Sequence, residues 1–188
     1  MIPAPTILGW MWALLGVYWI IGAAGTKKTE VTEARPSRLL RLLLLAVMFT
    51  LLLTGRFRFG ALAWRFVPEY PWTRWAGIFI TATGIALAAW ARHHLGANWS
   101  DKVALKIDHQ LIRSGPYAFL RHPIYSGVLL AVAGTALAVG EWRGIVVLVV
   151  MTVNYWFKAA REDRILSGKF GDAFEEYRRR AGFLMPRL

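Results

Sequence analysis

The stretch YSGVLLAVAGTALAV (125–139), followed by GEWR (140–143) and GIVVLVVMTVNYWF (144–157), decides the fold. Both long runs are almost wholly apolar, and a connection that short leaves room only for a tight reversal. The pair therefore reads as an antiparallel helical hairpin, and with so little polar surface its solvent is the bilayer. Three more apolar segments lie upstream, at 6–24, 39–53 and 75–91. The first is long enough to cross the hydrocarbon alone, and it reads as a span rather than a removable signal peptide. The second is shorter, with Arg38 and Arg41 placed to snorkel at its mouth. The third carries Gly77 and Gly84 two turns apart on one face, as close helix packing requires.

Composition agrees. Apolar residues make up 56% of 188, and aromatics 14%; mean hydropathy is +0.41. A water-soluble domain of that size cannot hide so much apolar surface. Trp10, Trp12, Trp64, Trp72, Trp75, Trp90, Trp99 and Trp142 fall at or near the ends of apolar runs, where an aromatic belt would sit. There is no cysteine, which excludes disulfides, thiolate metal sites and a cysteine nucleophile. The formal net charge of +12 is interleaved with the spans. It points to anionic headgroups, and no nucleic-acid motif accompanies it.

Orientation follows from the Lys and Arg count. Segments 27–41, 92–121 and 158–188 carry 18 of them, and the alternate segments 54–74 and 140–143 carry 5. The expectation is an all-α, polytopic membrane protein of about five transmembrane helices. Its N-terminus is outside and its C-terminus cytoplasmic. The Arg-, Ala- and Leu-rich composition points to a bacterial inner membrane. The chain reads as one integral membrane domain, 1–188, with three spans in 1–91 and the chemistry in 92–188. Its oligomeric state is not encoded in any pattern.

Two polar segments can carry chemistry. The first ends Ser114-Gly115-Pro116-Tyr117-Ala118-Phe119-Leu120-Arg121-His122-Pro123. Pro123 suits the first turn of a helix, where its missing N–H costs nothing. The free N–H groups there, with Arg121 and His122, make a cationic pocket at the membrane face suited to a carboxylate or a polar headgroup. A basic interfacial anchor is the plainer reading. The second segment, Lys158-Ala159-Ala160-Arg161-Glu162-Asp163-Arg164, starts an amphipathic helix as the last span leaves the bilayer. Asp163, Leu166 and Phe170 share a stripe that Phe174 and Tyr177 continue. A hairpin brings Arg121-His122 beside Lys158-to-Asp163. Acidic groups facing Arg and His at membrane level suggest a site, although an exposed, salt-bridged helix has the same pattern.

Asp108-His109-Gln110-Leu111-Ile112-Arg113-Ser114-Gly115-Pro116-Tyr117, then Arg121-His122-Pro123-x-Tyr125-x-Gly127, then Glu162-Asp163-x-x-Leu166, with Phe170-Gly171-x-x-Phe174-x-x-Tyr177 and Pro186, resemble the isoprenylcysteine carboxyl methyltransferases and their prokaryotic relatives. The likeness covers roughly residues 95–188. It implies S-adenosylmethionine as cofactor, in a pocket formed by the cytoplasmic loop and the C-terminal helix. Carried over, His109, Leu111, Ile112, Gly115, Tyr117, His122, Pro123, Tyr125 and Gly127 would line it, and Glu162, Phe174 and Tyr177 would close it. It implies Lys158, Asp163, Glu162 and Arg121 as catalytic, at two of which the family usually carries Arg and Glu rather than Lys158 and Asp163. The acceptor would be a hydrophobic lipid or isoprenoid, entering sideways from the bilayer and presenting the carboxylate of a prenylcysteine-like group.

An activated methyl donor asks little of the protein beyond alignment and exclusion of water. A carboxylate acceptor needs a cation, for which Arg121 and Lys158 are candidates; an amine needs a base, and His122, Glu162 or Asp163 could serve. The alternatives are a phospholipid N-methyltransferase of the phosphatidylethanolamine type, an NADPH-dependent sterol-type reductase, and a scaffold without activity. No metal site is expected, since His93-His94 lacks an acidic partner at ligand spacing. Asn154 reads as an interhelical hydrogen bond.

Overall fold

The structure, a computed structural model, describes residues 4–23, 35–54, 59–96 and 111–187. Six α-helices and two short 3-10 turns account for most of them: α1 (Ala4–Ala23), α2 (Arg35–Leu53), α3 (Pro71–Leu95), α4 (Pro123–Val139), α5 (Trp142–Phe170) and α6 (Asp172–Arg180). The 3-10 turns are Gly60–Ala63 and Gly115–Ala118. By length and apolarity α1, α3 and α5 are candidate membrane spans; α4 and the apolar part of α2, Leu42–Leu53, are shorter.

Cations at helix ends tie the first five helices into an alternating bundle. The Nη2 of Arg92, near the end of α3, donates to Gly22 O at the end of α1, so α1 and α3 finish together. The Nη1 of Arg143, at the start of α5, donates to Leu51 O and Thr54 O at the end of α2, both at 2.6 Å. Both cations answer orphan carbonyls and the negative end of the helix dipole. At that same end Phe66 N donates to Gly140 O and Trp142 N to Trp64 O. Consecutive helices thus run antiparallel, and the bundle has two chemically distinct ends.

The closest seam joins α3 to α4. Gly77 faces Gly134 and Gly84 faces Gly127. A Cβ on Gly84 would stand 2.5 Å from Gly127 O, and one on Gly127 2.7 Å from Gly84 O. The Gly77–Gly134 pair is reciprocal in the same way, at 2.6 Å in both directions. Backbones this near contact each other directly, as small-residue membrane interfaces do. Thr81 Oγ1 and Thr135 Oγ1 meet 3.2 Å apart in the seam, and Trp12 of α1 donates its indole N–H to Thr135. Trp12 is therefore buried core rather than belt. Trp10, Trp64, Trp72, Trp75, Trp90 and Trp142 are exposed as a belt requires, and Trp99 lies outside the described residues.

No new helix begins where the apolar part of α5 ends. The charged stretch from Lys158 continues α5 to Phe170, because Lys, Ala, Arg, Glu and Leu are good helix formers and outweigh the one helix-interior glycine, Gly168. The break falls at Gly171, whose φ of +51° is the left-handed value glycine tolerates. α6 then folds back. Phe174, Tyr177 and Ala181 form a buried cluster with Leu111, Leu166 and Phe170 packed on it, so the stripe read from the sequence closes on itself across a turn.

Candidate functional site

The start of α4 and the charged half of α5 meet at one end of the bundle. α4 begins at Pro123, which is fully buried, and its N-cap residue His122 leaves the first turn without a side-chain cap. His122 instead turns toward α5. Its Nε2 is 2.8 Å from Asp163 Oδ1 and its Nδ1 3.5 Å from Glu162 Oε2. Arg121 Nε donates to Asp163 Oδ2 at 3.1 Å, and the Tyr125 hydroxyl donates to Glu162 Oε1 at 2.6 Å. Lys158 Nζ lies 5.0 Å from the centre of the Tyr125 ring, within cation–π range. The same ring stacks on His122 and on Tyr155, with centroids 5.6 Å and 4.9 Å away.

Arg121, His122, Glu162 and Asp163 thus form one compact, charge-balanced cluster. The cationic pocket expected from Arg121 and His122 is corrected accordingly: both cations already face carboxylates. Burial by itself lowers the pKa of His122, but its hydrogen bonds to Asp163 and Glu162 and their charges outweigh this. The net effect is a pKa raised above 6.5. Nε2 shares a hydrogen bond with Asp163, and Nδ1 lies at ion-pair distance from Glu162.

The C-terminal segment locks this arrangement. Arg121 Nη1 donates to Ala181 O at 2.9 Å and Arg178 O at 3.1 Å. Arg121 N donates to Gly182 O and Gly182 N to Phe119 O, a short parallel bridge. The Tyr177 hydroxyl donates to Tyr117 O at 2.8 Å, and Ser126 Oγ donates to Leu184 O at 2.7 Å. Burial raises the pKa of Tyr177 and of Tyr117, so Tyr177 remains a donor. Phe183 sits edge-on to His122 and to Trp156.

Of the residues singled out in the sequence, Lys158, Glu162, Asp163, Arg121, His122 and Tyr125 come together as one group. Leu111, Phe174 and Tyr177 are brought together beside it in the α6 cluster, and Tyr117 joins them through its carbonyl. Ile112 is half-buried on the irregular segment before the Gly115 turn. Gly115 has φ of +58°, and a Cβ there would stand within 2.9 Å of the His94 ring, whose Nε2 pairs with Ser114 Oγ at 2.8 Å. Gly127 faces α3, so close packing accounts for its missing side chain. His109 lies outside the described residues.

Sequence reasoning missed Tyr155, Ser126 and Phe183, and weighed His94 only as a metal ligand. Phe183 carried a weak signal, as the aromatic of an apolar stretch following the charged α6. Asn154 does not form the interhelical bond expected of it. Its Nδ2 is buried and has no hydrogen-bond partner among the described residues.

The bundle thus has two unlike ends, with an ion-paired cluster where the hairpin meets a folded-back tail. The chain belongs to the phospholipid methyltransferase family, whose profile matches residues 72–173. Protein-S-isoprenylcysteine O-methyltransferase of Schizosaccharomyces pombe is 29% identical over 111 residues, 58% of this chain and 45% of the relative. The cobalt-zinc-cadmium resistance protein CzcN of Cupriavidus metallidurans is 29% identical over 126 residues, 62% of this chain and 55% of the relative. This chain thus spans about half the length of these curated relatives. The eukaryotic intramembrane Ras methyltransferase ICMT has a similar fold, with a TM-score of 0.62 over 83% of this chain and 54% of that one, at 21% identity.

Proposed function

We propose that the protein transfers a methyl group from S-adenosylmethionine to a lipidic or isoprenoid acceptor at the cytoplasmic membrane face, the acceptor offering a prenylcysteine-like carboxylate. The observation that carries this is the cluster at the hairpin end. Glu162, partly exposed, is held by Tyr125 and His122 beside the Lys158 cation and two stacked tyrosine rings. This donor set suits the cofactor, since a carboxylate answers an ammonium or a ribose hydroxyl and aromatic faces accommodate a sulfonium. Tyr125, His122 and Glu162 would hold it, with Leu111 and Ile112 on the approaching segment. When bound, S-adenosylmethionine supplies an electrophilic methyl group whose bonding electrons leave with sulfur.

The chain's own residues then align and exclude water. A carboxylate acceptor arrives ionised and surrenders no proton, so no general base is needed. Lys158, one turn before Glu162 on α5, is the cation that would hold it. Arg121 has a different part. Its Nε and Nη1 are engaged by Asp163, Ala181 and Arg178, so it clasps the tail over the site and positions Asp163. Asp163 in turn fixes His122.

A second reading has one specific support, the family's description as phospholipid methyltransferase. An amine acceptor would favour the carboxylates over Lys158, with Glu162 taking the proton.

Calorimetric titration of the detergent-purified protein with S-adenosylhomocysteine, with NADPH as control ligand, tests the cofactor. Binding of the former alone is expected; binding of NADPH alone would move the chain to the reductases. Transfer of labelled methyl to N-acetyl-S-farnesylcysteine or to phosphatidylethanolamine vesicles then tests the acceptor. Label in the vesicle lipid alone would replace the carboxylate reading with the amine one.

A further inference from the structure

The inward stripe of α5 runs through Val147, Met151, Asn154, Lys158 and Glu162 at helical spacing. Val147 and Met151 are fully buried core. Glu162 and Lys158 belong to the cluster described above. Asn154 lies between the two groups. The threonine hydroxyls along the bundle interior find partners within the protein. Thr152 donates to Leu148 O, Thr81 to Gly77 O and Thr135 to Ala131 O, and the Trp12 indole is taken by Thr135. Asn154 Nδ2 is buried without a partner. A buried donor without a partner lowers stability, so its presence calls for an explanation.

The geometry points to the acceptor as that explanation. We propose that Asn154 Nδ2–H donates to a carbonyl oxygen of the acceptor, adjacent to the group that receives the methyl. Asn154 is one turn from Lys158, about 6 Å along the helix axis. Its neighbour Tyr155 stacks on Tyr125 at the start of α4, which places this level of α5 against the site. A lipid whose carboxylate rests at Lys158, with its chain running along α5 into the bilayer, passes Asn154. The stripe therefore selects a lipid-linked carboxylate with an acylated amine nearby, as at the end of a peptide, over a simple lipid acid that has nothing to accept the bond. The assignment rests on the methyltransferase reading and narrows its substrate class.

The test pairs Asn154→Leu, similar in size and without the donor, with two acceptors. N-acetyl-S-farnesylcysteine has the amide; S-farnesylthiopropionic acid lacks it. Wild type is expected to favour the first by about tenfold in kcat/KM, the order expected for one net hydrogen bond. Asn154→Leu should lose that preference through a raised KM for the amide acceptor alone. S-adenosylhomocysteine affinity should be retained, and the melting temperature unchanged or higher. Equal loss on both acceptors, no loss on either, or a lowered melting temperature would overturn the assignment while leaving methyl transfer standing. Wild type that binds S-adenosylhomocysteine but methylates neither acceptor would overturn the carboxylate acceptor and this role together. No cofactor binding by wild type would overturn the methyltransferase reading itself.

Discussion

Glu162 and Asp163 are consecutive carboxylates at the point where α5 meets the folded-back tail, and both face His122. Two anions so close, half out of water, repel each other unless a cation lies between them. The imidazolium of His122 does so, and its raised pKa is the measure. Because the folded-state pKa lies above the ordinary 6.5, the stability this contributes is fully present below that value. It is lost as pH rises through the raised pKa. Thermal melting followed from about pH 5.5 to about pH 9 should therefore show the melting temperature falling on the alkaline side. In His122→Gln that fall should flatten, with lower stability on the acid side. A second prediction separates binding from turnover. His122→Ala should weaken S-adenosylhomocysteine binding, because Glu162 and Asp163 lose their common partner. Lys158→Ala should lower kcat with that binding retained. Loss of both quantities in both variants would overturn the division of roles. This group was legible in the sequence because each member is a charge at a hairpin end, where membrane proteins rarely leave charges idle. Its net charge was not legible, since pairing depends on which side chains the tail turns inward.

Helix α5, at 29 residues, reaches about 43 Å, longer than the hydrocarbon core, so its last turns stand beyond it and carry the site. Its apolar half announced itself by composition. The continuation to Phe170 is written in helix propensity, which the change from apolar to charged residues disguises as a boundary. The α3–α4 seam was half visible, through Gly77 and Gly84. Gly127 and Gly134 repeat the same seven-residue spacing on α4, and matching the two intervals would have paired the helices. Glycine in helices costs stability unless packing requires it, so opposite outcomes are expected at two positions. Gly84→Ala places a Cβ 2.3 Å from Ala131 N and should destabilise by about 1–3 kcal/mol as the seam is forced apart. Gly168→Ala meets nothing within 4 Å and should stabilise by about 0.5–1 kcal/mol. Reversible unfolding in mixed micelles measures both; a neutral Gly84→Ala would mean the helices are not in backbone contact.

At the scale of the whole molecule, the two ends differ in how their cations are used. At the end bearing the 140–143 turn, Arg143 is buried against Glu141 and the carbonyls ending α2. Arg65 donates to Val139 O, and Arg74 pairs with Glu69. These arginines are spent on helix ends and local ion pairs. At the site end Arg113, Arg161, Arg164, Lys169, Arg179 and Arg187 are exposed, available to anionic headgroups and to the bias that retains positive charge in the cytoplasm. The site end is therefore expected to face the cytoplasm, and the count of 18 against 5 understates the asymmetry. The chain has no cysteine, so single cysteines report topology without background. Arg179→Cys is exposed on α6, and Glu69→Cys on the opposite end removes only exposed ion pairs to Arg74 and Arg65, of small worth. A membrane-impermeant maleimide applied to intact cells should label Glu69→Cys and spare Arg179→Cys until the membrane is opened. The reverse pattern would invert the orientation and put the site outside, away from cytoplasmic S-adenosylmethionine. Labelling of both from one side would break the alternation of helix ends that Arg92 and Arg143 enforce.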